Sequence, residues 1–287
     1  MGASTAKLGP FTVGRMGYGA MQLAGPGVFG PPRDRDVAIA VLRETVASGV
    51  NHIDTSDYYG PYVTNQIIRE ALHPYPADLV LVTKLGARRG PKGEWLGAFS
   101  PDDLRRGVEG NLENLGLDSL QVVNMRSMHG IHAPGEGSLA VQLEALATLQ
   151  QEGLIQHIGL SNVTRQQIED GRKIAPIVCV QNAYNLANRA DDPLIDWLAG
   201  EQIAYVPFFP LGGFSPLQST TLDSVAAEAG ATPMQVALAW LLQRAPNVLL
   251  IPGTSSLGHL QQNLAAAELV LSDDAVARLD AVGALPQ

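Results

Sequence analysis

The sequence predicts an α/β fold, and within that class a single (β/α)8 TIM barrel domain that spans residues 1–287. Three observations support this prediction. Short apolar runs alternate with amphipathic segments along the chain, eight such runs can be counted, and no Ser/Gly-rich linker or low-complexity stretch divides them. Barrels of about 250 residues form one domain. A doubly wound sheet is the alternative, but eight consecutive units without a phosphate-loop fingerprint disfavour it.

The predicted elements begin with a short hairpin around Ala6–Phe11. Eight strand-like apolar runs follow it, over Met16–Ala20, Asn51–Thr55, Leu79–Lys84, Leu120–Arg126, His157–Ser161, Val178–Asn182, Ala204–Pro207 and Val248–Ile251. The spacing of apolar residues between these runs predicts helices, over Asp34–Ser48, Thr64–Leu72, Leu104–Leu115, Leu139–Gln151, Arg165–Ile174, Asp192–Glu201 and Met234–Arg244. Val225–Ala229 and the C-terminal run Val276–Leu279 predict extra helices.

Several predicted helices have recognisable ends. Ser100 precedes Pro101 and Thr232 precedes Pro233, which places an N-cap hydroxyl before a proline at the first helical position. Thr232 is also followed by the glutamine of a capping box. Glycine tolerates the left-handed conformation of a helix C-cap, and glycines follow three of the helical runs, at Gly49, Gly116 and Gly153.

The composition indicates one large core and argues against several partners. Hydrophobic residues make up 46% of the chain and charged residues 16%. A net charge of -9 and a pI of about 5.1 disfavour nucleic acid and anionic membranes as partners. Because no apolar run is long enough to span a bilayer and the N-terminus lacks a signal core, we expect a cytoplasmic enzyme. Cys179 is the single cysteine, and its apolar neighbours predict a buried thiol.

Polar residues stand where predicted strands end. Asp54, Lys84, Arg126 and Asn162 each close or follow an apolar run, and Tyr59 comes shortly after Asp54. In a parallel barrel these strand ends meet at the C-terminal rim, which is where such barrels carry their active sites. The sequence therefore predicts an enzyme with an acid, a phenol and two cations at one mouth.

These residue types suit the reduction of a carbonyl group. A free tyrosine has a pKa near 10, and a neighbouring ammonium such as that of Lys84 is expected to lower it. Asp54 behind the lysine would hold the ammonium in place, so that Tyr59 could protonate a developing alkoxide. Arg126 adds a permanently charged donor near the same oxygen.

Four segments resemble the signature segments of the aldo-keto reductase superfamily, namely Asn51–Gly60, Val82–Lys84, Gly159–Asn162 and Ile251–Thr254. The resemblance extends in order from Gly17 to Asn263. It implies a (β/α)8 barrel that binds extended NADPH without a Rossmann fold and reduces aldehydes or ketones. The family's catalytic residues then fall on Asp54, Tyr59 and Lys84.

Arg126 departs from the family pattern, because the fourth catalytic position usually holds a histidine. Arginine cannot exchange protons near neutral pH. We therefore expect Arg126 to orient the carbonyl and to stabilise negative charge without acting as an acid.

The resemblance also implies a set of residues that bind the cofactor. The nicotinamide pocket falls on Gly19, Ala20 and Met21, its carboxamide contacts on Ser161, Asn162 and Gln181, and the aromatic residue that stacks on the ring on Phe208. The pyrophosphate loop falls on Pro210, Leu211 and Gly212. The adenosine and 2′-phosphate segment falls on Gly253, Thr254, Ser255, His259, Gln262 and Asn263. The family often has lysine at the position of Gly253 and arginine at that of His259.

A closer resemblance suggests the substrate. Arg126, the run Gly19–Arg33 and the run Ile203–Phe214 are similar to those of bacterial aldo-keto reductases that reduce pyridoxal. Pyridoxal carries an acidic hydroxyl beside its aldehyde, and its phenolate would suit Arg126. Two alternatives remain open, which are a reductase of another aldehyde or ketone and a nicotinamide-sensing regulatory subunit. The oligomeric state and the physiological direction of the reaction are also open.

Four further residues have open roles at this stage. His129 and His132 form an HxxH pattern, but no further ligand cluster accompanies it, so no metal site is predicted and a contact with substrate is the better interpretation. Trp95, in a Gly-rich loop over Arg88–Gly97, could cap the pocket or pack beneath the loop. Tyr58 is expected to form a pocket wall or to serve as a packing residue.

Overall fold

The computed structural model describes residues 4–130, 133–212 and 219–283. Its strands are β1 Thr5–Leu8, β2 Phe11–Gly14, β3 Tyr18–Gly19, β4 His52–Asp54, β5 Val80–Leu85, β6 Ala87–Arg89, β7 Trp95–Gly97, β8 Leu120–Arg126, β9 Ile155–Ser161, β10 Ile177–Gln181 and β11 Ala204–Tyr205. β1 and β2 form the expected antiparallel hairpin. Leu8 and Val13 of this hairpin are fully buried against the interior valines of the barrel. The hairpin therefore closes one end of the barrel.

Seven strands form one parallel sheet in the order β11-β10-β9-β8-β5-β4-β3. Neighbours in the sheet follow chain order, apart from the β6–β7 excursion, and there is no reversal of strand order of the kind found in a doubly wound sheet. The predicted eighth strand, Val248–Ile251, is reduced to single parallel bridges. Val248 pairs with Tyr205 and Leu250 pairs with Met16, so the segment joins both edges of the sheet and closes the barrel.

The side chains of the barrel strands alternate between two cores. In β5, Val80 and Val82 point into the barrel interior, whereas Leu81 and Leu85 pack against the surrounding helices. This alternation follows from the two-residue period of a strand. It carries Lys84, two residues beyond Val82, to the interior at the C-terminal end of the same strand.

All of the predicted helices are present, with ends that differ by a few residues. The helices are α1 Arg35–Ala47, α2 Val63–Leu72, α3 Pro101–Leu115, α4 Ala140–Gln151, α5 Arg165–Gly171, α6 Asp192–Gly200, α7 Thr220–Ala229, α8 Pro233–Arg244, α9 Leu257–Ala265 and α10 Asp273–Asp280. Of these, α9 is a helix that the sequence analysis did not predict. The capping boxes at Ser100 and Thr232 are both formed. The glycines expected at helix ends all have positive φ, at Gly49, Gly116 and Gly153.

The Gly-rich loop after Lys84 contains a hairpin that the sequence analysis did not predict. β6 and β7 pair antiparallel around the turn Gly90–Gly93, with Arg89 opposite Trp95. The hairpin projects from the C-terminal end of β5 and therefore stands beside the mouth of the barrel.

No single helix within the described residues is long and apolar enough to cross a membrane. α7 and α8 reach the required length and hydropathy only as a pair, and they are bent by 91° relative to each other.

Gly159 in β9 is required by close packing inside the barrel. A Cβ at this position would overlap Asn124 Oδ1 and would lie 2.6 Å from Cys179 Sγ, and both of these side chains are fully buried. We expect Gly159→Ala to lower the free energy of unfolding by about 1–3 kcal/mol, since the interior must shift to admit a methyl group. Urea denaturation measures this change.

Gly200→Ala, at the end of α6, is the matched control for this prediction. A Cβ at Gly200 meets no atom within 4 Å, and alanine favours a helix more than glycine does. This variant is expected to be at least as stable as the wild type. Equal stability of the two variants would contradict the packing argument.

Candidate active site

A buried ion pair lies at the C-terminal rim of the barrel. Asp54 ends β4 and Lys84 lies in the adjacent parallel strand β5, and their side chains are only 3% and 6% exposed. Lys84 Nζ donates to Asp54 Oδ1 and, at 3.0 Å, to the carbonyl oxygen of Thr55. Gln181 Nε2 donates to the second carboxylate oxygen at 2.7 Å. The carboxylate is thus held on both of its oxygens.

Tyr59 adjoins this ion pair. Its ring is buried, and Lys84 Nζ lies 5.3 Å from the ring centroid. Burial raises the pKa of Tyr59 above its usual value of 10.0, the Asp54 carboxylate raises it further, and Arg126 lowers it in part. The net pKa of this phenol therefore lies above its usual value, the opposite of the net lowering expected from the sequence. The phenol stays protonated at neutral pH, which is the form that a proton donor must have.

Arg126, at the end of β8, lies at the same rim. Its guanidinium carbon is 5.5 Å from the ring centroid of Phe208. Its positive charge acts to lower the pKa values of both Tyr58 and Tyr59. The structure therefore brings all four predicted catalytic side chains, those of Asp54, Tyr59, Lys84 and Arg126, to one end of the barrel.

A layer of buried polar side chains lies one step deeper in the barrel. His52 precedes Asp54 by two residues on β4 and is fully buried, and burial lowers its pKa to about 4. The imidazole is therefore neutral at pH 7 and adds no charge beneath the ion pair. Cys179, which is buried as predicted, donates its thiol proton to Asn124 Oδ1 at 3.2 Å.

An aromatic wall stands beside Tyr59. The ring of Tyr58 packs edge-on against Tyr59 on one side and against Trp95 on the other, with centroid distances of 5.4 Å in both cases. Tyr58 is buried, whereas Trp95 is 38% exposed. Tyr58 thus packs between Tyr59 and Trp95, and Trp95 lies at the exposed edge of this aromatic row.

Arg89 links these aromatic side chains to the loop that follows β3. It was not among the residues that the sequence analysis predicted for the site. Its guanidinium carbon lies 4.3 Å from the Trp95 ring centroid and 5.3 Å from that of Phe29. Its N–H groups donate to the carbonyl oxygens of Val28 at 2.6 Å and of Gly27 at 3.0 Å. A signal was present in the sequence, because Gly90-Pro91-Lys92-Gly93 separates two short runs in the manner of a hairpin turn.

Three buried oxygen atoms near the ion pair have no hydrogen-bond partner among the described residues. They are Ser161 Oγ, Asn162 Oδ1 and Gln181 Oε1. The amide nitrogens of Asn162 and Gln181 are already engaged, with Ser127 and Gly130 in the first case and with Asp54 in the second. The amide oxygens can only accept, whereas the Ser161 hydroxyl can also donate. A ligand carboxamide, which has both N–H and C=O groups, fits this set.

The first and last loops of the barrel meet in close backbone contact. A Cβ at Gly253 would lie 2.6 Å from the carbonyl oxygen of Gly19. Tyr18 Oη donates to the carbonyl oxygen of Thr254 at 2.6 Å, which anchors the predicted adenosine segment to β3. The other predicted cofactor residues near these two loops differ in exposure. Ala20 is buried at the start of a 3-10 turn, and Met21 packs with Tyr59 and Val28. His259 and Gln262 are exposed on α9, whereas Asn263 is buried.

The predicted pyrophosphate loop is described only in part. Phe208 is partly buried and packs edge-on against Phe209. Pro210 is buried, Leu211 packs on the helical core, and Gly212 donates its N–H to the carbonyl oxygen of Phe209 at 3.0 Å. Gly213 and Phe214 lie outside the described residues.

The ring of His129 contacts a residue before α3 and a residue just beyond its own loop. Its ring stacks on Phe99 with a centroid distance of 6.1 Å, and its Nε2 is 3.3 Å from the carbonyl oxygen of Ser138. His132 lies outside the described residues. Within residues 4–130, 133–212 and 219–283 there is no group of three or more His, Cys, Asp or Glu side chains that could hold a metal ion.

Asp57 makes stability depend on pH. Burial raises its pKa from 3.8 to about 7, although the Ser56 hydroxyl lowers it in part. Because the folded-state pKa lies above the unfolded one, its contribution to stability is fully present below pH 3.8 and is lost as the pH rises through 7. Asp57→Asn should remove this loss. Relative to the variant, the wild type should lose on the order of 1–3 kcal/mol of unfolding free energy between about pH 5 and about pH 8.5.

Urea denaturation of both proteins at the two pH values tests this prediction. A difference in unfolding free energy between wild type and Asp57→Asn that stays constant across the interval would contradict it.

A closed parallel barrel with a buried acid–lysine pair, a protonated phenol and a carboxamide site at one mouth is suited to hydride transfer between a nicotinamide and a carbonyl group. The family model for the Aldo/keto reductase family matches residues 15–284. The chain belongs to the aldo/keto reductase family, and it is an oxidoreductase.

One curated relative is similar over nearly its whole length. It is the pyridoxine 4-dehydrogenase of Escherichia coli (strain K12), which is 66% identical over 283 residues, covering 98% of this chain and 99% of that protein.

Two solved structures share the fold. A thermostable aldo-keto reductase in complex with the inhibitor epalrestat has a TM-score of 0.82 at 29% identity, over 98% of this chain and 100% of that one. An aldo-keto reductase from Klebsiella pneumoniae in complex with NADPH has a TM-score of 0.80 at 26% identity, over 100% of this chain and 97% of that one.

Proposed function

We propose that this protein is an NADPH-dependent carbonyl reductase that converts pyridoxal to pyridoxine, with Tyr59 as the proton donor. The observation that carries the proposal is the 66% identity to a pyridoxine 4-dehydrogenase, which extends over 98% of this chain. The substrate is accordingly a small aldehyde, and no nucleic acid or membrane takes part.

NADPH would supply the hydride. Its carboxamide suits the side-chain oxygens of Ser161, Asn162 and Gln181, which have no partner among the described residues. The amide N–H groups can donate to the side-chain oxygens, and the Ser161 hydroxyl can donate to the amide carbonyl. The Klebsiella structure with NADPH is a further support for this cofactor. Gln181 also donates to Asp54, so the cofactor site and the ion pair would share one side chain.

The proton would come from Tyr59. A substrate carbonyl at the rim would receive the phenolic proton as negative charge develops on its oxygen. Lys84 would stabilise the phenolate that is left behind, and Asp54 would hold Lys84 in place through their buried ion pair. The raised pKa of Tyr59 means that the phenol is a weak acid before the reaction. An alkoxide is a stronger base than a phenolate, and this difference drives the transfer.

Arg126 would supply selectivity for pyridoxal. It is permanently charged and presents several N–H donors in one plane. The acidic ring hydroxyl of pyridoxal, adjacent to its aldehyde, would pair with this guanidinium. The pairing would place the aldehyde near Tyr59.

NADPH oxidation with pyridoxal, pyridoxal phosphate and a panel of unrelated aldehydes tests the proposed function. A kcat/KM for pyridoxal well above that for the other aldehydes supports it. Comparable weak rates on every aldehyde would still indicate a reductase but would exclude pyridoxal as its specific substrate. Tight NADPH binding without turnover on any substrate would favour the regulatory-subunit alternative.

Arg126→His tests the role of the guanidinium. We expect kcat/KM for pyridoxal to fall by about 10-fold or more relative to that for benzaldehyde, since a charged hydrogen-bonded pair contributes about 1.5–3 kcal/mol. Benzaldehyde lacks the ring hydroxyl and therefore serves as the matched substrate. An unchanged ratio of the two efficiencies would show that Arg126 does not recognise the hydroxyl.

A further inference from the structure

A cavity of about 390 Å³ lies between the loop that follows β3 and the loop that precedes α9. Met21 and Ser255, from two separate segments of the predicted cofactor site, both line it. Gln22 and Arg33 line it as well. The cavity is therefore continuous with the region where the adenosine end of the proposed cofactor would lie.

The segment expected to bind the adenosine 2′-phosphate has no strongly basic side chain of its own. Between Arg244 and Arg278 the sequence contains no lysine and no arginine. A phosphate monoester carries close to two negative charges at neutral pH and is bound most strongly by charge-assisted hydrogen bonds. A cation from another part of the chain would strengthen the binding of a 2′-phosphate beside the hydroxyl groups and the helix N-terminus of this segment.

Arg33 is the only cationic side chain among the described residues that line the cavity. It is exposed, and no hydrogen bond or ion pair with another described residue engages its guanidinium. Asp34 is the one acidic residue among the described residues of the lining, and its Oδ1 accepts a hydrogen bond from the N–H of Val37 at 3.0 Å as the N-cap of α1. The guanidinium is thus available to a ligand while the neighbouring carboxylate is committed to a helix.

The surroundings of the cavity also suit an anion. Val37, in the first turn of α1, lines the cavity. The N-terminus of α9 follows directly after Ser255, which also lines it. Helix N-termini favour negative charge. The Tyr18 hydroxyl donates to the carbonyl oxygen of Thr254, directly before Ser255.

We propose that Arg33 binds the 2′-phosphate of NADPH from across this cavity, opposite Ser255, and so determines the preference of the enzyme for NADPH over NADH. The inference rests on the proposed function. It places the selectivity for the phosphorylated cofactor on the loop after β3 and not on the segment Gly253–Asn263 alone. Gln22 contributes a further polar group to the same wall.

The test is a binding measurement that needs no catalytic turnover. Isothermal titration calorimetry would give dissociation constants of NADP+, NAD+, adenosine 2′,5′-bisphosphate and AMP for the wild type and for Arg33→Ala. We expect binding of the two 2′-phosphorylated ligands to weaken by about tenfold or more, since that corresponds to losing one charge-assisted contact. The affinities for NAD+ and AMP should not change. Arg33→Lys should retain part of the preference, because the positive charge remains.

Arg35→Ala is the matched control. Arg35 lies two residues away and is exposed, but it forms an ion pair with Glu70 and does not line the cavity. This variant should bind all four ligands as the wild type does.

Three results would overturn the inference. They are equal weakening of NADP+ and NAD+ in Arg33→Ala, no change in any affinity, and a loss in Arg35→Ala as large as that in Arg33→Ala. A wild type that binds neither dinucleotide would instead refute the proposed cofactor, and the role of Arg33 would fail with it. The wild-type titration therefore separates a failure of the proposed function from a failure of the inference alone.

Discussion

Replacing Tyr59 with phenylalanine is expected to lower kcat for carbonyl reduction by about 10²–10⁴-fold, which is the range contributed by a positioned general acid. The variant loses one hydroxyl group and keeps the ring, so the edge-on packing against Tyr58 persists. Because the phenol has no predicted role in holding the cofactor, the dissociation constant for NADPH should remain unchanged. Steady-state rates and a fluorescence titration with NADPH would measure the two quantities.

Tyr58→Phe is the internal control for that result. Tyr58 is adjacent in sequence, equally buried and in contact with the same ring. Loss of its hydroxyl should leave most of kcat intact. If Tyr58→Phe lost as much activity as Tyr59→Phe, or if Tyr59→Phe retained full activity, Tyr59 would not be the proton donor.

Replacing Lys84 with methionine is expected to cost about 3–5 kcal/mol of unfolding free energy, because it leaves the Asp54 carboxylate buried without its cation. Among the side chains described around this carboxylate, only Gln181 would then still donate a hydrogen bond to it. The same change removes the charge that would stabilise the phenolate of Tyr59, so reductase activity should fall severely as well. Urea denaturation and NADPH oxidation would be measured on the same preparation.

The double variant Asp54→Asn/Lys84→Met separates these two effects. With both charges removed, no unpaired ion is buried, and stability should recover a large part of the loss seen in Lys84→Met. Activity should not recover, because no ammonium has returned to the site. A double variant that was no more stable than Lys84→Met would show that the ion pair is not the source of the lost stability.

The sequence alone was sufficient for the barrel and for the positions of its principal polar residues. Short apolar runs and helices with marked ends are local patterns, and their alternation leaves few arrangements other than a parallel barrel. Asp54 and Lys84 could be placed together because the carboxyl ends of neighbouring parallel strands meet at one rim. The ion pair between them confirms that placement.

Other features depended on contacts between distant parts of the chain. Arg89 was missed because its partners, Gly27 and Val28, lie about sixty residues away, and a single side chain in a Gly-rich turn has no periodic signal. The run Val248–Ile251 has strand-like residues but pairs only through two bridges, at the closure of the barrel.

What the sequence by itself determined about this protein was its fold class, its family and the residue types at the mouth, since these follow from local periodicity and from motifs read along the chain. Only the tertiary structure decided the electrostatic state of the site and which residues line the cavity beside it. The pKa of Tyr59 rises because the folded chain excludes water from the phenol more effectively than Arg126 compensates. Arg33 and Ser255, which are more than two hundred residues apart, line one cavity because closure of the barrel brings the first and last loops together.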